Sequence, residues 1–187
     1  MQHKDSIVSV MWIIAIAVQV LLPVVFFNSL GLSVLLYLGC FCIAAFFVTS
    51  LIARNEFNKH GGIPEGKNCM YTTNLVNGGI YSVVRHPMYA SWILLVLTLP
   101  LFSQHWLGVL LGVTTAALIY NYAVNEDKRL IRKFGDTYRE YMKTVPRVNM
   151  VRGIYGYLRK RNHNAVSKTS HKRVLEGSHA PADFTNR

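Results

Sequence analysis

The amino-acid sequence predicts an all-α integral membrane protein with about four transmembrane helices, arranged as two hairpins with a cytosolic loop between them and an amphipathic helix after them. Hydrophobic residues make up 51% of the 187 residues and charged residues only 16%. The charges are also segregated, since none lies between Asp5 and Arg54 or between Arg85 and Glu126. Each uncharged run is long enough for two passes, because one spanning helix needs about 20 residues.

The two uncharged runs each contain a natural division point. The first run divides at the Asn-Ser-Leu-Gly segment 28–31, which predicts helices over 7–27 and 32–53. The second run divides between Pro100 and His105. Its first arm is short for a full crossing, which leaves a tilted or a partly re-entrant hairpin as alternatives. The second arm, 106–124, is long enough to span the membrane.

The basic residues predict the orientation. All 20 Lys and Arg lie in the N-terminal stub, in the loop 54–87 or after residue 124, and neither short turn carries one. The positive-inside rule therefore places both termini and the central loop in the cytoplasm. We attribute the net charge of +11 to contact with the lipid bilayer, and we expect no nucleic-acid partner because half of the chain is apolar. The sequence leaves the oligomeric state open.

Three segments follow from this organisation: an N-terminal transmembrane hairpin over 1–53, a core over 54–148 and a disordered basic tail over 149–187. We interpret the three cysteines, which lie in the second span and the loop, as free thiols in a reducing compartment. The histidines of the tail have no metal-ligand spacing. We therefore predict no metal site.

The start of the second hairpin carries the most informative motif, Arg-His-Pro-Met-Tyr at 85–89. Pro87 suits the first turn of a helix. The unpaired N–H groups and the partial positive charge of that helix end, together with Arg85, predict an anion site at the membrane edge. In the alternative interpretation, Arg85 anchors to lipid phosphate and His86 caps the helix.

The end of the same hairpin carries an acidic pair, Glu126 and Asp127. Anionic headgroups disfavour carboxylates at a membrane edge. The pair could be ordinary surface charge balanced by Lys128 and Arg129, or it could bind an ammonium group. Because the hairpin starts at His86 and ends at Glu126, we expect the anion site and the cation site to lie side by side, as an amino-acid-like ligand requires.

An amphipathic helix is predicted after Glu126. Leu130, Phe134, Tyr138 and Tyr141 are spaced four, four and three residues apart and alternate with basic residues. This pattern is typical of a helix that lies at the membrane interface. Such a helix would anchor the chain and could also cover the site, and Gly135 predicts a bend in it.

Residues 54–148 resemble the isoprenylcysteine carboxyl methyltransferases and, more widely, the phospholipid methyltransferases. The order, the spacing and the intervening hairpin together carry the resemblance. The matching elements are Leu75-Val76, Gly79-Ile80-Tyr81, Arg85-His86-Pro87-Met88-Tyr89, Glu126-Asp127, Leu130, Phe134-Gly135, Tyr138, Tyr141 and Val145-Pro146-Arg147.

The resemblance implies a methyltransferase that uses S-adenosylmethionine in a site facing the cytosol. It implies a cofactor pocket formed by Thr73, Asn74, Leu75, Val76, Tyr81, His86, Pro87, Met88, Tyr89 and Glu126. Glu126 would pair with the ammonium group of the cofactor, and His86 and Glu126 are the expected catalytic residues. Asn121, Tyr122 and Arg147 are the expected substrate-binding residues.

Two positions depart from the family pattern. Members that methylate a prenylcysteine carboxylate carry an Arg four residues before the matching Glu, where this chain has Tyr122. The family also carries a Pro soon after the Val-Pro-Arg stretch. This chain has no Pro there, and its residues 148–150 are Val-Asn-Met. The first departure speaks against a carboxylate substrate, and the second alters the geometry of the tail.

The sequence therefore predicts methylation of a lipid-like or hydrophobic small acceptor, similar to isoprenylcysteine carboxyl methylation. Phospholipid (ethanolamine) N-methylation is the alternative that the missing Arg favours. A nicotinamide-dependent membrane reductase would need a basic pocket for phosphates, which the acidic pair disfavours. A non-catalytic membrane protein that binds lipid headgroups is the remaining alternative.

Overall fold

The computed structural model describes residues 2–62 and 72–162, and the described chain is helical with no strand. A 3-10 turn, Gly79–Ser82, precedes the second hairpin. Residues 150–162, called α5 here, are also helical. The four long helices are α1 (Gln2–Val25), α2 (Ser33–His60), α3 (Pro87–Ser103) and α4 (Trp106–Thr144). The predicted all-α architecture is confirmed.

The two hairpins are joined at their short turns. The backbone N–H of Asn28 donates to the Phe102 carbonyl over 2.9 Å. Gln104, which adopts a left-handed conformation (φ 49°), bonds both backbone groups of Leu32: its Nε2 donates to the carbonyl over 2.9 Å and its Oε1 accepts from the N–H over 3.1 Å. Both turns therefore lie at the same end of the molecule, opposite the charged segments.

The helix surfaces suit an apolar environment. α2 and α4 are each long and apolar enough to cross a membrane, whereas Ile13–Val25 within α1 and the whole of α3 are shorter apolar helices. Large side chains such as Leu21, Leu51 and Val113 are more than half exposed. An apolar surface of this extent is typical of contact with lipid. The number of crossings stays a prediction.

The centre of the molecule is α3, which packs against α1, α2 and α4. Small residues let the helices approach closely, as at Gly112 of α4, where a Cβ atom would lie 2.8 Å from the Val96 carbonyl oxygen. The amide of Gln19 on α1 donates to the same carbonyl over 3.3 Å. The buried part of the fold thus holds α3 in a fixed position, and α3 begins at the candidate site.

α4 continues well beyond the predicted span. The transmembrane arm expected over 106–124 and the start of the amphipathic helix expected after Glu126 are one helix up to Gly135, where a kink separates it from a second helical segment that ends at Thr144. The bend predicted at Gly135 is confirmed, because this residue has non-helical dihedrals (φ 58°, ψ −131°). A conformation of this kind strongly favours glycine. α2 likewise extends past residue 53.

The segment predicted as a disordered tail from residue 149 begins as a helix instead. The side chain of Asn149 accepts a hydrogen bond from the Arg152 N–H over 2.9 Å and so caps α5. Gly153 lets α5 approach the Val83 carbonyl, which a Cβ atom would overlap. The rest of the tail, 163–187, and the loop segment 63–71 with Cys69 lie outside the described residues.

Candidate active site

The candidate site forms where the chain enters α3 and where it leaves α4. The backbone N–H of Arg85 donates to the Pro146 carbonyl over 2.9 Å, and that of His86 donates to the Arg147 carbonyl over 3.0 Å. Two consecutive bonds of this kind fix the segment before α3 against the segment after α4. Arg85, His86 and Arg147 therefore lie side by side although they are far apart in sequence.

The carboxylate of Asp127 joins these segments. It is 2% exposed, and its Oδ1 lies 2.7 Å from Nε2 of His86 and accepts a 2.5 Å bond from the Tyr138 hydroxyl. Its Oδ2 accepts from Nε of Arg147 over 2.6 Å. Nη1 of Arg85 lies 3.4 Å from Oδ1. We call these five residues the Asp127 cluster.

Electrostatics fix the protonation of the Asp127 cluster, which lies beyond the apolar part of α4. Burial alone raises the pKa of Asp127, but the hydrogen bonds from His86, Tyr138 and Arg147 outweigh it and hold that pKa well below its ordinary value of 3.8. Burial and the bond to Asp127 raise the pKa of the Tyr138 hydroxyl. With an ionised carboxylate as its partner, His86 is assigned as the Nε2–H tautomer, so its Nδ1 is the nitrogen that can accept a proton.

The acidic residue beside His86 is Asp127, the neighbour of the predicted Glu126. The carboxylate Oε1 of Glu126 pairs with Nη2 of Arg129, three residues further along α4, and the side chain is 19% exposed. The structure therefore joins the two ends of the second hairpin as expected, through a different carboxylate. The role of Glu126 in cofactor binding stays a prediction.

An aromatic row leads from the Asp127 cluster towards the apolar surface. The Tyr89 ring lies 5.6 Å from the His86 ring, and the Tyr122 ring lies 6.0 Å from that of Tyr89. A narrow apolar slot between α3 and α4 is lined by Tyr89, Trp92, Ile119 and Tyr122. The predicted substrate-binding Tyr122 is thus brought near His86, while Asn121 is exposed.

The predicted loop residues 73–76 lie at the end of α2. The Thr73 hydroxyl donates to the Gly62 carbonyl over 2.8 Å, and its N–H donates to the Gly61 carbonyl over 3.1 Å. Asn74 is exposed, Leu75 is half-buried and Val76 is buried. These contacts close the loop and do not join it to the Asp127 cluster.

Tyr81 is a packing residue in this structure. Its ring is 7% exposed and lies 6.1 Å from the Phe57 ring of α2. Its hydroxyl donates to the Ala53 carbonyl over 3.4 Å. The Tyr141 hydroxyl donates to the Tyr81 carbonyl over 2.5 Å, so Tyr81 connects α2 to the distal part of α4.

The first turn of α3 offers a donor to a ligand. Pro87 stands at the start of the helix, and the side chain of the N-cap residue His86 makes no capping bond. The next N–H group, that of Met88, has no acceptor within the helix. Met88 is 41% exposed. The turn can therefore donate to an anionic group beside His86.

An open cavity of about 1300 Å³ adjoins the Asp127 cluster between the distal part of α4 and α5. Arg85, Arg147 and Tyr120 contribute to its wall. Nη1 of Arg147 donates to the Tyr120 hydroxyl over 2.8 Å, which places the cavity next to the point where α4 becomes polar. The contribution of α5 to a cavity was not predicted from the sequence.

Comparison with known families decides the assignment. A model of the phospholipid methyltransferase family matches residues 34–137, which is more than half of the chain. The chain belongs to the phospholipid methyltransferase family. The resemblance described above is thereby confirmed at the level of the family, which is a family of methyltransferases. No curated protein matched the chain.

The match to the phospholipid methyltransferase family covers the two residues that close the second hairpin. It runs from α2 into α4 and includes His86 and Asp127, whereas Tyr138 and Arg147 lie beyond its end. Within residues 2–62 and 72–162 no group of His, Cys, Asp and Glu could hold a metal ion.

Proposed function

We propose that the protein is a multi-pass membrane enzyme that transfers a methyl group from S-adenosylmethionine to the amine of a lipid-like acceptor. Both termini and the active site face the cytosol in this proposal. The observation that carries it is the contact between His86 and Asp127 in a member of a methyltransferase family. This contact supplies an oriented base at the membrane edge, where a lipid headgroup and a soluble methyl donor can meet.

The residues around the first turn of α3 suit the polar ends of the donor. The uncapped N–H group of Met88 could donate to a carboxylate. Because Arg129 engages Oε1 of Glu126, Oε2 can accept a bond from an ammonium group. S-adenosylmethionine supplies a methyl group on a positively charged sulfur, which a nucleophile can take without further activation.

The Asp127 cluster would act on the acceptor. An amine is protonated at neutral pH and must lose a proton before its nitrogen can attack. His86 would take this proton on Nδ1 while Asp127 holds Nε2–H and stabilises the imidazolium. The deprotonated amine would then be the nucleophile for the methyl group that the bound donor would supply. A carboxylate acceptor would need no base, because it is already ionised.

The aromatic surface beside His86 supports a lipid-like acceptor. Tyr89 and Tyr122 line a slot of about 10 Å³ between α3 and α4, which is too small to enclose an acyl chain, so an apolar tail would lie against these rings from the bilayer side. Tyr122 stands where carboxyl methyltransferases of this kind carry an Arg. This departure and the family match support N-methylation of a phospholipid over methylation of a prenylcysteine carboxylate.

Labelled S-adenosylmethionine tests this function. Membranes that contain the protein are incubated with labelled donor and either an ethanolamine phospholipid or a prenylcysteine, and the extracted lipids are separated. We expect label in the phospholipid. His86→Gln should reduce its rate by about a hundredfold or more, because general base catalysis contributes that much. Lys128→Gln, at an exposed position of α4, is the matched control.

Three results would overturn the proposal in different ways. Label in the prenylcysteine alone would indicate carboxyl methylation. An unchanged rate in His86→Gln would remove the base from the mechanism. Binding of a nicotinamide dinucleotide and not of S-adenosylmethionine by the purified protein would indicate a reductase.

A further inference from the structure

The cavity between α4 and α5 has a strong excess of positive charge. Seven basic side chains line it against one carboxylate, that of Glu140. The basic residues are Arg85, Lys143, Arg147, Arg152 and the run Arg159-Lys160-Arg161. A cavity of this composition favours a ligand with net negative charge and disfavours an ammonium group. It therefore differs from the site that a zwitterionic methyl donor needs.

Arg85 at the inner end of the cavity has donors without acceptors. Its side chain is 6% exposed, and Nε and Nη1 have no hydrogen-bond partner. Oδ1 of Asp127 lies 3.4 Å from Nη1, outside a hydrogen bond, and is already bonded by His86 and Tyr138. Buried donors without acceptors are costly. A phosphate group, which offers several acceptor oxygens to a guanidinium, would satisfy them.

α5 places the cavity at the level of the bilayer surface. Its Gly153 packs against Val83, just before α3 begins. The opposite face carries exposed apolar side chains at helical spacing, with Val151 81%, Ile154 49% and Leu158 48% exposed. Apolar side chains beside a basic run are typical of a helix that lies in the interface of an anionic membrane.

We propose that this cavity binds the phosphate group of an anionic membrane lipid, whose acyl chains lie along the exposed apolar face of α5. This lipid is separate from the methyl acceptor, because the basic residues of the cavity disfavour the ammonium group that the acceptor amine carries before methylation. The cavity recognises the phosphate group. We assign this phosphate to a lipid because α5 contributes both to the basic cavity and to the exposed apolar face.

Native mass spectrometry of the purified full-length protein in detergent tests this proposal. The protein is titrated with phosphatidylglycerol, with phosphatidylcholine and with inorganic phosphate, and the bound lipids are counted. We expect phosphatidylglycerol to be retained in preference to phosphatidylcholine. Arg152→Gln and Arg159→Gln should each weaken that retention roughly fivefold, as expected for one basic residue near an anionic surface.

The control variant carries Lys128→Gln and Arg132→Gln, which remove two exposed charges of α4 that do not line the cavity. It should retain phosphatidylglycerol like the unmodified protein. Equal retention of the two lipids, or equal losses in the cavity and control variants, would overturn the proposal. Displacement of phosphatidylglycerol by inorganic phosphate at a similar concentration would show that the ligand is a soluble phosphate and overturn the lipid assignment.

Binding in this assay does not depend on methyl transfer. Retention of phosphatidylglycerol by a protein that fails to label any lipid would overturn the proposed function alone. Labelling of lipid without such retention would overturn the lipid site alone.

Discussion

Nε2 of His86 lies 2.7 Å from Oδ1 of Asp127, a contact between residues 41 positions apart. It joins the residue immediately before α3 to the polar part of α4 and so closes the second hairpin at its charged end. The same carboxylate holds Tyr138 and Arg147. One buried anion therefore sets the relative position of every segment of the candidate site, and the first prediction concerns it.

Replacing Asp127 should be far more damaging than replacing its neighbour. Asp127→Asn keeps the size of the side chain but leaves the buried Arg85 without its counter-charge, which costs about 3–5 kcal/mol of unfolding free energy when a buried pair is broken. Glu126→Gln removes one member of an ion pair that is in partial contact with solvent, with Arg129 33% and Glu126 19% exposed, and should cost about 1 kcal/mol.

Thermal unfolding in detergent measures the loss of stability in Asp127→Asn and Glu126→Gln, and initial rates of methyl transfer measure the loss of activity. We expect Glu126→Gln to weaken binding of S-adenosylmethionine with little change in melting temperature. Equal destabilisation by the two variants would contradict the central position of Asp127 in the fold.

Acid should remove the contribution of Asp127 to stability. Its folded-state pKa is held below the ordinary value of 3.8, so its contribution is complete above that value. The contribution shrinks as the pH falls below 3.8 and is gone below the folded-state pKa. Melting temperatures measured from about pH 7 to about pH 3 should show a fall at the acid end that Asp127→Asn makes shallower.

The matched control for the acid experiment is Asp136→Asn, whose side chain is 99% exposed. Its acid profile should follow that of the unmodified protein. A profile for Asp127→Asn that is as steep as the original would show that other carboxyl groups control the acid transition.

The hydroxyl of Tyr138 should matter more than that of Tyr141. Tyr138→Phe removes a bond to an ionised carboxylate, which contributes about 1.5–3 kcal/mol, whereas Tyr141→Phe removes a bond to a backbone carbonyl, which contributes about 1 kcal/mol. The two rings lie 5.8 Å apart on α4, so the pair is well matched. Denaturation midpoints in detergent compare them, and the reverse order would contradict the hydrogen bonding described here.

Two glycines of α5 provide a test of its packing. Gly153→Ala would place a Cβ atom against the Val83 carbonyl, whereas Gly156→Ala meets nothing within 4 Å. Overpacking costs about 1–3 kcal/mol, but alanine in place of a helical glycine with open space around it contributes up to about 1 kcal/mol of stability.

Limited proteolysis after residue 149 and melting temperature should separate these two variants. Gly153→Ala should expose α5 to protease, and Gly156→Ala should protect it. Equal cleavage of both would contradict the packing of α5 on the segment before α3.

The division of the chain into two hairpins could be predicted because uncharged length and turn residues determine it. The choice of carboxylate could not be made from the helical period. The buried positions of α4 recur at three- and four-residue intervals, at Gly108, Gly112, Thr115, Ile119 and Ala123, and Glu126 and Asp127 both continue this spacing. Glu126 lies five full turns after Gly108 and so on the same line of the helix, about 100° from Asp127. The contacts with His86 and Arg147, which are distant in sequence, select Asp127.

Other features could not be predicted from local pattern. α5 is short and basic, and its stability depends on a contact between Gly153 and Val83, which are distant in sequence. Tyr81 belongs to a motif shared with the family, but its packing on Phe57 depends on the length of α2. Nε and Nη1 of Arg85 have no hydrogen-bond partner because Arg85 competes with His86, Tyr138 and Arg147 for the single carboxylate of Asp127.

The bonds between Gln104 and Leu32 have a mechanical consequence. They fasten the two hairpins at the end remote from the charges. A tilt of one hairpin against the other would therefore pivot about that end and displace the charged end the most. The slot between α3 and α4 and the contact between His86 and Asp127 both lie within the second hairpin, so such a tilt would leave the candidate site intact.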